Sequence, residues 1–218
     1  MAPQVSVIQH HLERIYAIDP GCRAEQFLVT DPLPANTPMQ NVPEEQLLVC
    51  EEGAEIGLGL YLSAGLLGRL RKDDPLTRLH DGNFADLCLV IEGVSHFLCV
   101  AWHASRDRPV TCLELELQAE IDKYILALLL AARQGHGRAP RGLHGRLFGQ
   151  FHLAPDLDHA TRQRYHRANG YAATYCAHLE RRHLRSGGVR ALLRELRRFY
   201  RLQQHAKLGH IKRRRQSH

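Results

Sequence analysis

Two pairs of polar side chains, each pair one helical turn apart, are the residues of this sequence best suited to chemistry. Glu92 and His96 lie four residues apart in a long apolar stretch, and Glu116 and Glu120 have the same spacing in the next apolar stretch. At about 100° per residue, each pair falls on one side of a helix. Carboxylates and an imidazole on facing helices can hold a metal ion, and a glutamate beside a histidine can transfer a proton. These four residues are therefore the candidate catalytic and metal-ligating residues.

Other polar residues fall on the same two stripes, namely Cys88, Cys99 and His103 on the first helix and Cys112 and Lys123 on the second. Two interpretations without a ligand stay open. Each stripe is the narrow solvated edge of a mostly buried helix, or Glu92 and His96 form a hydrogen-bonded pair inside the core. Metal sites of helical bundles use Glu-x-x-His, whereas the two stripes contain Glu-x-x-x-His, once, at 92–96. The sequence therefore implies no particular cofactor and leaves open whether the protein is an enzyme.

The elements that must position these residues are two long helices, predicted from about 83 to 104 and from 111 to 133. Asn83 is the predicted N-cap of the first, and Thr111 with Glu114 has the spacing of a capping box at the start of the second. The connector 105–110 is short enough to make the two helices antiparallel neighbours. A further helix is predicted over 5–19, a strand over 25–30, a hairpin over 46–62, and a short helix from Ser63 to about 72.

The charge of the chain is divided unevenly between its two parts. Residues 1–134 contain 10 Lys and Arg against 19 Asp and Glu, a net charge of −9, whereas residues 135–218 contain 19 against 4, a net charge of +15. We therefore predict an acidic body over 1–134, a Gly-, Arg- and His-rich linker over 135–157, and a basic helical arm with a tail over 158–218. The predicted fold is α+β and mostly helical, with a small antiparallel sheet packed on a helical layer, a central antiparallel helical hairpin, and a basic C-terminal two-helix arm.

The arm has the residues of a polyanion-binding surface. A helix is predicted from the N-cap Asp158 to about 184, carrying basic residues interleaved with tyrosines, and a last helix over 189–208. Arginine grips phosphate and carboxylate groups with a planar fork, so a stripe of arginines favours an anionic partner. The candidate polyanion-binding residues are Arg190, Arg194, Arg197 and Arg201 of the last helix and Lys212, Arg213, Arg214 and Arg215 of the tail. The alternatives are a solvated face and a face that docks on the acidic body of the same chain.

Composition narrows the class of protein without identifying an activity. The sequence lacks a phosphate-binding loop, a dinucleotide fingerprint, a zinc-protease motif and a nucleophile elbow. Six cysteines without a C-x-x-C pair, and a first segment unlike a signal peptide, predict a cytoplasmic protein. Residues 84–104 are long and apolar enough to span a bilayer, but Glu92 near their centre favours a buried helix and no membrane span. We expect a non-catalytic binding protein for nucleic acid or an acidic protein; the alternative is an enzyme or metalloprotein with its site in the 83–133 hairpin. The oligomeric state stays open.

Overall fold

The structure is a computed structural model, which describes residues 3–30, 43–52, 55–135, 142–149, 153, 157–184 and 188–216. The fold is α+β and mostly helical, as the sequence predicts. The α-helices in the described ranges are α1 (Pro3–Tyr16), α2 (Ala64–Lys72), α3 (Phe84–Ala104), α4 (Cys112–Gln134), α5 (His159–Leu179), α6 (Val189–Tyr200) and α7 (Gln204–Gln216). The described helical content also includes a 3-10 helix (Ala24–Phe27) and two short π-helices (Gly145–Gly149 and Glu180–Leu184).

The sheet is small and mixed. Its strands are β1 (Leu28–Val29), β2 (Glu45–Glu52) and β3 (Glu55–Leu62), in the order β1-β3-β2. The predicted hairpin is confirmed, since β2 and β3 are antiparallel, but β1 pairs in parallel with β3 where the sequence predicted an antiparallel sheet. The first half of the predicted strand 25–30 is instead part of the 3-10 helix, and only two residues of the predicted strand pair in the sheet. The chain between β1 and β3 is long enough for the crossover that a parallel pair requires.

The antiparallel pair α3 and α4 forms the centre of the molecule. The capping box at the start of α4 is confirmed: Thr111 Oγ1 accepts from the Glu114 amide at 3.1 Å, and the Glu114 carboxylate accepts from the Thr111 amide at 3.4 Å. Asn83 is at the predicted N-cap position of α3, but its side chain makes no capping hydrogen bond. Its Oδ1 accepts from the His80 amide and its Nδ2 donates to Arg78 O, so the side chain holds the preceding turn. By length and composition, α3 is the one described helix that could span a membrane, and 72 % of its most apolar window is buried inside the protein.

The other elements surround this hairpin. Helix α1 packs on α3, and Ser63 caps α2 as predicted, because its Oγ accepts from the Leu66 amide at 3.1 Å. Helix α5 packs along α4, α6 packs on α1, and α7 packs on α5. Asp158 is the N-cap of α5, since its side chain accepts from the Thr161 amide at 3.0 Å. The predicted linker, 135–157, is described only in part, at 135, 142–149, 153 and 157.

The prediction of one last helix over 189–208 is wrong. The chain turns at 201–203 between α6 and α7, so the arm contains three α-helices where the sequence predicted two. At this turn Arg201 donates from Nη1 to Tyr16 O at 3.0 Å and from Nη2 to Ala17 O at 2.9 Å. These bonds satisfy carbonyls at the C-terminal end of α1, where the helix provides no backbone N–H partner. After the turn, Lys207 of α7 lies fully buried against α4.

Candidate functional site

The structure brings the four candidate residues of the hairpin together. His96 Nε2 of α3 lies 3.6 Å from Glu116 Oε2 of α4. Lys123 joins the remaining two, with its Nζ 2.5 Å from Glu120 Oε1 and 3.2 Å from Glu92 Oε2. The facing stripes therefore meet, and the lysine of the second stripe neutralises part of their negative charge.

Two further residues belong to this site, and the sequence did not point to them. Glu45 of β2 places Oε1 3.8 Å from His96 Nδ1, and Arg164 of α5 places Nε 3.7 Å from Glu116 Oε1. Glu45 reaches the helix because residue 93 is a glycine: a Cβ there would lie 2.8 Å from Leu60 Cδ1 and 2.9 Å from Glu45 Cγ. A glycine inside an apolar helix next to Glu92 was the one sequence signal for this close approach.

The complete group is called here the Glu45 cluster, and it lies just beneath the surface. The side chains of Glu45 and His96 are 9 % and 11 % exposed. Glu45 Oε1, His96 Nε2 and Arg164 Nε are buried without a hydrogen-bond partner among the described residues. Their nearest opposite charges lie at 3.6–3.8 Å, beyond normal hydrogen-bond length. The members of the cluster are Glu45, Glu92, His96, Glu116, Glu120, Lys123 and Arg164.

The pKa values of the cluster show how strongly its charges interact. Burial lowers the pKa of His96, but the carboxylates of Glu116 and Glu45 outweigh it and raise that pKa to about 10. Burial raises the pKa of Glu45 and of Glu120, because a carboxylate loses hydration there. For Glu92 burial acts in the same direction, yet the nearby ammonium of Lys123 brings the net pKa below its usual value. The carboxylates therefore favour the protonated, positively charged form of His96.

Three of these residues can serve as metal ligands. One ligand atom each from Glu45, Glu92 and His96 lies within 4.8 Å of the other two. Ligands about 2.1 Å from an ion are about 3.0 to 4.2 Å apart, so these side chains would have to move closer together to complete the set. Carboxylate and imidazole ligands suit Mn²⁺, Fe²⁺ and Zn²⁺. Three protein ligands would leave positions for water or another small ligand, which is the arrangement of catalytic metal sites.

A second buried polar group, called here the Asp122 cluster, lies on another side of the same hairpin. Both Asp122 oxygens accept hydrogen bonds, Oδ2 from Ser95 at 2.6 Å and Oδ1 from Gln118 at 2.9 Å and from the Tyr16 hydroxyl. Lys207 of α7 completes the cluster, with Nζ 3.4 Å from Gln118 Oε1. Burial raises the pKa of Asp122 to about 6 despite these donors. No sequence pattern indicated this cluster, because Tyr16, Ser95 and Lys207 lie far from Gln118 and Asp122 in the chain.

The remaining candidate residues of the hairpin lie outside both clusters or at their margins. Cys112 is exposed, and Cys88 lies near Lys123, where burial raises its pKa to about 12. His103 Nδ1 lies 2.8 Å from Cys99 O, the carbonyl one turn earlier in α3. Burial raises the pKa of Cys99 to about 12, which argues against its use as a nucleophile.

The arginines of the arm have divided roles. Arg190 and Arg194 are exposed on α6. Arg197 donates to Ile15 O at 3.0 Å and to Arg14 O at 3.1 Å, so it caps α1 together with Arg201. In the predicted tail, Lys212 and Arg213 are exposed on α7, Arg214 lies 3.9 Å from Glu195, and the side chain of Arg215 lies outside the described residues.

A groove between α5 and α7 contains further basic residues of the arm. It has a volume of about 330 Å³, and its lining includes His166, Arg167, Tyr171 and Lys212. Cationic groups beside an aromatic ring are typical of sites for phosphates and nucleotides.

Comparison of the chain with protein-family models, with curated proteins and with solved structures finds no match in any of the three.

Proposed function

We propose that this protein binds a divalent transition-metal ion at the Glu45 cluster. Glu45, Glu92 and His96 would be the ligands, with His96 bound through Nδ1, the ring nitrogen that faces Glu45. The observation that carries the proposal is the approach of three ligand atoms from a strand and a helix to within 4.8 Å of one another. Gly93 supports it, because its missing side chain allows Glu45 to reach the helix.

The charge of the cluster supports a cation. Its four carboxylates face one lysine, one arginine and His96, so the net charge is −1 even with a protonated imidazole. An uncompensated charge costs several kcal/mol in a buried site. A divalent ion with a neutral imidazole brings the net charge to zero. A proton shared among the carboxylates would do the same, and measurement of the bound metal separates these two solutions.

The residues around the three ligands match the support that metal ligands need. A metal-bound histidine usually donates its second ring N–H to a carboxylate, which fixes the ring and its tautomer. Glu116 is placed for that role at 3.6 Å from His96 Nε2, and Arg164 lies behind it. Lys123 holds Glu92 at 3.2 Å and leaves the second oxygen of that carboxylate for the metal. A metal so held would polarise a bound water or a carbonyl or phosphoryl oxygen.

The direct test is the metal content of the full chain purified without a metal-affinity step. We expect one Mn, Fe or Zn per chain, and expect it to be lost in Glu45→Gln and in His96→Gln. Glu116→Gln should weaken affinity by about 10- to 100-fold, the usual effect of an outer carboxylate. Asp122→Asn is the matched control and should retain the metal. Full-length protein that neither contains a metal nor takes one up after dialysis against these ions would refute the proposal in favour of a shared proton.

A second function is supported by the groove between α5 and α7. We propose that the arm binds a polyanion, nucleic acid or an acidic protein, there and through Arg190 and Arg194. Arg197 and Arg201 are left out of this surface, because their guanidinium groups cap α1. We also propose a cytoplasmic location, which the free thiols of all six cysteines support.

Binding of single-stranded RNA and of heparin by the full chain tests the second function. The double variant Arg167→Gln/Lys212→Gln should weaken binding. It should also reduce the slope of log affinity against log salt by about 0.7 to 0.9 for each phosphate group that the variant no longer neutralises. Arg71→Gln on α2, an exposed arginine of the body, is the control and should change neither affinity nor slope. Wild-type protein that binds neither ligand at low salt would refute a nucleic-acid partner.

A further inference from the structure

An apolar groove with a cationic rim lies where α1, α4 and α6 meet, away from both buried clusters. It has a volume of about 330 Å³, within the range of small-molecule sites. Its lining is formed mainly by aliphatic side chains of α4 and α6, including Leu126, Leu130, Leu192 and Leu196. Val189, at the start of α6, is 51 % exposed beside it and is one of three large apolar side chains that the described residues leave exposed.

The polar residues of this groove are all basic. Arg14 of α1, Arg133 of α4 and Arg197 of α6 line it with His11, and no carboxylate lines it within the described part of the chain. Arg197 donates to Ile15 O and Arg14 O, and Arg133 donates to Leu76 O at 3.4 Å. These partners are neutral carbonyls, and no carboxylate of the described residues forms an ion pair with Arg14, Arg133 or Arg197. Burial lowers the pKa of His11, and the charges of Arg133 and Arg14 lower it further.

We propose that this groove binds a single-chain amphiphile with an anionic head, such as a long-chain carboxylate. Its hydrocarbon chain would lie against the leucines of α4 and α6, and its head would meet the guanidinium groups of Arg14 and Arg133. Arginine suits this role, because its planar fork matches a carboxylate or a phosphate and keeps its charge at any physiological pH. The volume favours one extended chain over a folded protein segment, which would need a longer surface.

The probe is dodecanoate, kept below its micellar concentration and titrated into the full-length protein in a calorimeter. We expect saturable binding of one molecule per chain. Dodecanol has the same tail without the charge and should bind at least about tenfold more weakly, since it cannot form charged hydrogen bonds with arginine. Dodecyl phosphate tests the choice of head group. If it binds with the same affinity as dodecanoate, the site recognises the negative charge of the head and not its chemical type. Equal binding of dodecanol and dodecanoate would overturn the proposal, as would no saturable binding of dodecanoate.

Variants locate the binding on this surface. Leu193→Glu places a carboxylate in the groove and should abolish dodecanoate binding, whereas Arg133→Gln should weaken it by about tenfold. Arg71→Gln and Glu45→Gln are controls that should leave it unchanged, and the second separates this site from the metal site. Circular dichroism must show the same helix content in each variant. Unchanged binding in a folded Leu193→Glu protein would place the amphiphile elsewhere, and a Glu-rich amphipathic peptide that binds in place of dodecanoate would favour a protein partner; both results contradict the proposal.

Discussion

The Asp122 cluster and the Glu45 cluster are built on the same helical hairpin, but they differ in how completely their polar atoms are paired. Both oxygens of Asp122 accept hydrogen bonds, and those from Ser95 and Gln118 are 2.6 and 2.9 Å long. In the Glu45 cluster, the contacts of His96 with Glu45 and Glu116 are 3.8 and 3.6 Å long, and three buried polar atoms have no partner among the described residues.

Under the proposed function, this difference corresponds to a structural role for the Asp122 cluster and a ligand-binding role for the Glu45 cluster. Buried polar groups stabilise a fold when they are fully paired, and those left without partners carry a desolvation cost of roughly 1–3 kcal/mol each. Such groups occur where a water molecule, an ion or another ligand completes their hydrogen bonds. The same difference is found within the Glu45 cluster. Lys123 forms close ion pairs with Glu92 and Glu120, whereas the contacts of His96 with Glu45 and Glu116 are longer.

The largest expected effect is the loss of stability in Asp122→Ala. This variant leaves the hydroxyls of Tyr16 and Ser95 and the amide of Gln118 without their acceptor in the core. We expect the free energy of unfolding to fall by about 4 kcal/mol, as for other broken buried networks. Urea denaturation measures it. A loss below about 1 kcal/mol would remove the distinction between the two clusters.

The titration of Asp122 should make the free energy of unfolding depend on pH. Its pKa is raised to about 6 in the folded protein, from 3.8. The stabilisation that the folded protein gains from binding this proton is therefore fully present below pH 3.8 and is lost as the pH rises through about 6. Relative to Asp122→Asn, which stays neutral, the wild type should lose about 3 kcal/mol over that window. Urea denaturation of both proteins at each pH measures this change. If the free energy of unfolding of the wild type increased with pH relative to that of Asp122→Asn, the prediction would be contradicted.

Gly93→Ala tests whether the close approach of strand β2 and helix α3 builds the proposed metal site. The new methyl group would meet Leu60 and Glu45 at less than 3.0 Å, so we expect a loss of about 2 kcal/mol in stability and weaker metal binding. Gly68→Ala in α2 is the matched control, because no atom lies within 4 Å of its added Cβ. That variant should gain up to about 1 kcal/mol and bind metal normally. Normal metal binding by Gly93→Ala would contradict the assigned role of Glu45.

The smallest expected effect is that of Glu45→Gln on the metal-free protein. The substitution removes one of four neighbouring carboxylates and so reduces the repulsion among them. The only ion pair that it removes is the long one with His96. We expect the free energy of unfolding to change by less than about 1 kcal/mol, in contrast with Asp122→Ala. Thermal and urea unfolding in the presence of a chelator measure this change. A loss of several kcal/mol would make Glu45 a structural residue.

Features that depend on local spacing were predictable from the sequence. The Thr111–Glu114 capping box, the Asp158 N-cap and the stripes of α3 and α4 follow from positions at most four residues apart. Glu45 could not be placed in the same way, because strand β2 reaches α3 through tertiary packing across Gly93. The burial of Lys207 could not be predicted either, because this residue lies in the most basic part of the chain, where exposed side chains are expected; its side chain is fully buried. Arg197 and Arg201 have the pattern of an exposed stripe, and only the position of α1 shows that they cap it.

Titration of the metal-free, full-length protein with Mn²⁺, followed by electron paramagnetic resonance, tests the central claim most directly. We predict one tight site per chain in the wild type, with nitrogen coupling from His96, and the same site in Asp122→Asn. Glu45→Gln should bind at least about 100-fold more weakly, a difference of about 2.7 kcal/mol. Absence of a saturable site in the wild type, or equal affinity in Glu45→Gln, would contradict the assignment of the Glu45 cluster as a metal centre.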